Sequence, residues 1–134
     1  MPDTRSKDAR YEAIGRRLIE TKAIFSGIAE SDVRIAFLSS TARKATNGRF
    51  TYAVCEKVPE KNKWSMPYDF TITVFEPNVE GLDDERIRRL LFHELLHVGV
   101  EPKDGGGYVY RIVPHDLEDF RELINRYGTD WIRE

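Results

Sequence analysis

Two histidines four residues apart, with a glutamate beside the first, form the run His93-Glu94-Leu95-Leu96-His97. On a helix, four residues turn the chain through about 400°, so the imidazoles stand about 40° apart on one face and ~6 Å apart along the axis. Neutral imidazoles so placed can both bind one zinc ion, with Zn–N bonds of about 2.0–2.1 Å. Glu94 lies about 100° from His93 and about 60° from His97, so it flanks the same face. A carboxylate there can hold and deprotonate a zinc-bound water. A purely structural role for the three residues is physically costly, because a carboxylate without a partner on an apolar helix must remain protonated or carry a heavy desolvation penalty.

A catalytic zinc site takes three protein ligands and leaves one position open. The only other histidine is His115, in Pro114-His115-Asp116, with 17 residues between it and His97. Three consecutive glycines, Gly105 to Gly107, let the chain double back, so His115 is the expected third ligand. Glu118, Asp119 and Glu122 are rivals, since carboxylates also complete such sites. Asp116 suits a helix cap; its alternative role is to orient an imidazole.

The elements that must position these groups follow from periodicity and punctuation. Tyr11, Ile14, Leu18, Ile19 and Phe25 recur at mostly helical spacing, predicting an amphipathic helix from Asp8 to about Gly27. Alternation predicts three strands: Val33–Phe37, Phe50–Val58 with Phe50, Tyr52 and Val54 on one face, and Tyr68–Phe75. Residues 39–49 hold Asn47-Gly48 and no large apolar side chain, which reads as a loop or as a hairpin turn beginning near its end. Asp83 to Val98 is the most strongly marked helix, with Asp83 as cap, Leu82 and Ile87 as a staple and Gly99 suited to a left-handed stop. Its second half is apolar on nearly every face except at His93, Glu94 and His97, so it should be buried. A loop over 100–107, a short extended segment Tyr108–Val113 and a last helix over 116–127 complete the reading.

Composition sets the frame. At 134 residues, 40% hydrophobic and 33% charged, the chain suits one domain with a real core, residues 8–134, behind a polar and fraying segment 1–7. No apolar run is long enough to span a membrane, and MPDTRSKDAR is not a secretory signal, so a cytoplasmic location is expected. The single cysteine, Cys55, excludes an internal disulfide and suits a reducing compartment. Net charge is −2, yet residues 1–50 carry 10 Lys+Arg against 6 Asp+Glu. That basic first third is compatible with a nucleic-acid partner, although a solvated helix face explains it as well.

The run Tyr68-Asp69-Phe70-Thr71-Ile72, then RRLLFHELLHVG over 88–99, then His115-Asp116-Leu117-Glu118-Asp119-Phe120 through Arg126-Tyr127-Gly128, resembles the putative phage metallopeptidase family. These are small zincin-like proteins, related in outline to the SprT-like proteases. The likeness covers about residues 68–128. It implies a mixed sheet with an active-site helix, a zinc ion, and peptidase activity, with His93, His97 and His115 as ligands and Glu94 as base. The metzincin pattern fails, because Gly99 falls one position early and no histidine follows closely. SprT-like relatives often carry cysteine where Leu96 stands.

The expected fold is therefore α+β: a zincin-like single domain with an N-terminal helix, a small mixed sheet of about three strands, the buried His-Glu-x-x-His helix and a C-terminal helix. The expected activity is zinc-assisted hydrolysis of a peptide or protein substrate through Glu94. The alternative is a non-catalytic zinc-containing binding or adaptor module of phage or mobile-element origin. Strand Asp69–Phe75 is the candidate for pairing with an extended substrate, unless it is internal to the sheet. Tyr108, Tyr110 and Arg111 are candidates to stabilise an oxyanion or to pack. Trp64 and Met66 are candidates to wall a pocket or cover the core edge, and Cys55 reads as an inert small apolar residue.

Overall fold

The computed structural model describes residues 4–46 and 48–113. His115, Asp116, the rival carboxylates and the helix expected over 116–127 lie outside the described residues. What is described is an α+β domain, as expected.

Asp8 opens the first helix, α1 (Ala9–Thr21), by accepting the backbone N–H groups of Arg10 and Tyr11. Its buried face is Tyr11, Gly15, Leu18 and Ile19. The helix does not run on to Gly27. It breaks at Lys22, which adopts an extended conformation, and a 3₁₀ turn (Ala23–Phe25) leads into α2 (Ser26–Glu30). The reason is tertiary: the break carries Phe25 into the core against Phe92, with ring centroids 5.1 Å apart.

The main sheet has four strands in the order β1-β2-β6-β5, one more than expected. Residues Arg5–Lys7, within the segment expected to fray, form β1, which pairs antiparallel with β2 (Ile35–Ser40). Strand β2 runs parallel to β6 (Phe70–Phe75), and β5 (Ala53–Lys57) pairs antiparallel on the other side of β6. Both neighbours bury β6 along its whole length. The strand proposed for substrate pairing is thus internal, and its backbone groups are already committed to two ladders.

Between β2 and β5 the chain forms a separate ribbon, β3 (Ala45–Thr46) with β4 (Arg49–Phe50), and Gly48, just before β4, has φ of 77°. Here the expected strand Phe50–Val58 divides in two, and its facing reverses. Phe50 and Tyr52 are 58% and 47% exposed, whereas Ala53 and Cys55 pack on the core. Register explains this: Ala53 pairs with Val74 and Cys55 with Ile72, and those partners face the helices.

A short helix, α3 (Glu76–Val79), precedes α4 (Asp84–Leu95). Asp83 caps α4 by accepting the Arg86 N–H. The helix ends at Leu95, three residues before Val98, because β7 (Val98–Pro102) begins at once and pairs with β8 (Tyr108–Ile112). Gly99 is therefore a strand residue rather than a left-handed stop. Its hydrogen face meets the Arg111 carbonyl, which would lie 2.8 Å from an added Cβ. The first three residues of the loop expected over 100–107 belong to β7; Gly105, Gly106 and Gly107, all at positive φ, make the β7–β8 turn.

Helices α1, α2 and α4 cover the sheet face that carries Ile35, Phe37, Phe70, Ile72 and Val74. Gly15 sets the spacing between α1 and the sheet, since an added Cβ would stand 2.3 Å from the Phe37 ring. Gly15→Ala should destabilise the fold by about 1–3 kcal/mol, overpacking outweighing the helix-propensity gain, as read by the denaturation midpoint.

Asp69 is 4% exposed and ties the starts of β2 and β6 together. It accepts the Arg34 N–H at 2.8 Å and lies 3.1 Å from Lys63 Nζ. Burial works against its charge, but the Arg34 N–H and the Lys63 ammonium together hold its pKa below the ordinary 3.8. A depressed pKa gives stability that is full above the ordinary value and is lost as pH falls through the native one. Asp69→Asn should cost about 1–3 kcal/mol near neutral pH. Acid titration of stability should also be shallower in that variant than in the parent chain.

Candidate metal centre

The last turn of α4 delivers His93 and Glu94, and the turn that follows delivers His97. The helix does not pass through the whole motif, yet the spacing survives, because Leu96 remains in the right-handed helical region. Leu96 N–H is shared between the Phe92 and His93 carbonyls, and His97 N–H donates to Glu94 O at 3.1 Å, which tightens this final turn. One ligand atom from each of His93, Glu94 and His97 lies within 4.8 Å of the others. The imidazole centroids are 5.5 Å apart at an interplanar angle of 69°.

The orientation of His97 is decided by Val113, which follows β8. His97 Nδ1 is 2.7 Å from Val113 O, and Val113 N–H donates to His97 O at 2.8 Å. A carbonyl only accepts, so Nδ1 carries the hydrogen, and in the neutral ring that places the lone pair on Nε2. This is the partner arrangement that metal-binding imidazoles ordinarily show. No side-chain pattern announces Val113, because its role is carried by backbone; only the pairing of β7 with β8 brings it there.

Glu94 is 6% exposed, and burial pushes its pKa up to about 7. The pair of imidazoles and this desolvated carboxyl form a donor set suited to a divalent cation. Cys55, on the strand beneath α4, lies within electrostatic reach of Glu94. Burial first, then the charges of Glu94 and Glu56, push its thiol up to about 12. A thiol held protonated in this way is neither a nucleophile nor a ready metal ligand.

The remaining candidates go elsewhere. Arg111 pairs with Glu101 at 2.7 Å, the Tyr108 hydroxyl donates to Glu30 O, and Tyr110 sets its ring edge-on to Phe70. Trp64 is 87% exposed and covers no core edge. Strand β5 lies, among the described residues, at the sheet edge beside α4, a position the alternation of Phe50–Val58 does not reveal. The available signal was the small residues Ala53 and Cys55 at alternate positions, which permit a helix to approach closely.

A family model described as "Putative phage metallopeptidase" matches residues 4–134. The chain belongs to that family. Membership implies a metal ion and a protein or peptide substrate, and the His93, Glu94 and His97 cluster is compatible with the former. No curated protein and no solved structure matches the chain. Among the described residues, no helix is long and apolar enough to cross a membrane.

The protonated state of Cys55 has a direct consequence. The native protein should react with iodoacetamide at neutral pH at least about tenfold more slowly than the urea-unfolded chain, as followed by mass spectrometry.

Proposed function

We propose that this chain is a zinc-dependent peptidase in which His93 and His97 bind the metal through imidazole nitrogen and Glu94 is the general base. The single observation that supports the reading is a buried carboxyl beside two imidazoles, all three within reach of one cation. Zinc, when bound, supplies a Lewis acid that acidifies water and polarises the scissile carbonyl. His115 is the proposed third ligand, with Glu118, Asp119 and Glu122 as the rival donors; all four lie outside the described residues.

The chain's own groups have distinct tasks. His97 offers Nε2 because Val113 O holds Nδ1–H. Glu94 takes a proton from water and passes it to the leaving amine, a task suited to a carboxyl whose pKa burial has moved close to neutrality. Strand β5, the edge of the sheet among the described residues, is the proposed docking strand: an extended peptide there would pair through its backbone, beside α4.

Glu94→Gln should retain metal, measured by inductively coupled plasma mass spectrometry, and lose about 10²–10⁴-fold in hydrolysis of a cleaved substrate. His97→Ala should lose the metal itself. Unchanged turnover in Glu94→Gln would refute the assignment of the base, and a metal-replete chain that cleaves no unfolded or folded protein substrate would favour an adaptor role.

A further inference from the structure

Between Asp32 and Glu56 the sequence contains no acidic residue, but it contains Arg34, Arg43, Lys44 and Arg49. The fold gathers three of these cations on the β3–β4 ribbon. Arg43, Lys44 and Arg49 are all exposed, and no ion pair among the described residues engages them. The ribbon is not a loose loop. Thr51 N–H donates to Lys44 O at 3.0 Å, and the Asn78 side-chain amide donates to both Lys44 O and Thr51 O, at 2.9 and 2.7 Å.

The same short stretch exposes two aromatic rings, Phe50 and Tyr52. They stand two residues apart in sequence, where the chain leaves β4 and leads into β5. Neither is needed by the core, which takes Ala53 and Cys55 instead. The Arg43 guanidinium lies over the Phe50 ring, 6.0 Å from its centroid, so positive charge and a flat apolar surface are combined at one place.

We infer that this ribbon is a binding surface for single-stranded nucleic acid, with Arg43, Lys44 and Arg49 on the phosphates and Phe50 and Tyr52 stacked on unpaired bases. Guanidinium and ammonium groups interleaved with exposed rings match both halves of such a ligand, its polyanionic backbone and its π faces. A chain of net charge −2 that keeps a 23-residue stretch free of acids keeps a local field of opposite sign there. An anionic membrane would match the charge but would leave two rings on a narrow polar ribbon with no apolar stripe around them. The surface is separate from the proposed metal centre, so its binding stands or falls independently of peptidase activity.

The test is fluorescence anisotropy with a labelled oligodeoxythymidine, on the full chain, across a salt series. Three phosphate contacts on a single strand predict a slope of log affinity against log salt of about −2. The charge variant Arg43→Gln/Lys44→Gln/Arg49→Gln should bring that slope close to zero. The ring variant Phe50→Ala/Tyr52→Ala should weaken binding about tenfold or more while leaving the slope in place. The slope of the unsubstituted chain is a readout that needs no variant to fold. Absence of saturable binding overturns the inference. So does binding by both variants equal to that of the unsubstituted chain, or tighter capture by duplex of the same length or by phosphatidylserine vesicles.

Discussion

Pressing a carboxylic acid into the core side of a small domain is the constraint around which this molecule is organised. Glu94 sits on the buried face of α4 with Leu91 and Leu95, in a place that otherwise suits an apolar side chain. Removing it from water lifts its pKa to about 7 and leaves a group that exchanges a proton near neutrality. Low local polarity also strengthens every charge interaction with the neighbouring imidazoles. The arrangement is destabilising by itself and is held by the surrounding packing, notably Phe25 on Phe92 and the small residues of β5 below.

The second requirement is direction. Helix α4 stops at Leu95, so His97 is outside the regular helix and its ring is not oriented by helix geometry alone. The β7–β8 ribbon supplies the orientation through two opposed hydrogen bonds between Val113 and His97. Gly99 is part of the same device, because its missing side chain lets β8 come close enough for Val113 to arrive. A short ribbon with a three-glycine turn thus links the stability of a local pairing to the chemistry of one imidazole.

Sheet topology assigns work to the two sides of the molecule. Burying β6 between β2 and β5 places β5, among the described residues, at the edge of the sheet next to α4, and the chain that enters β5 comes from the ribbon carrying Phe50 and Tyr52. Apolar side chains are therefore divided by the register of one strand. Those in phase with β6 enter the core, and those before it remain in solvent where a partner can reach them.

The spacing of His93, Glu94 and His97 was legible in the chain because ligand geometry on a helix depends on only a few covalent steps. The cap at Asp83, the amphipathic face of α1 and the hairpin that pairs β3 with β4 were legible for the same reason, being governed by neighbours within one or two turns. The edge position of β5, the inward facing of Ala53 and Cys55, the break at Lys22 and the clasp of Val113 on His97 were not. Each depends on which strand lies beside which, a relation between residues far apart in the chain, and backbone carbonyls carry no sequence signature. Local chemistry was thus written in the residues themselves, whereas the direction in which it faces was decided by long-range pairing.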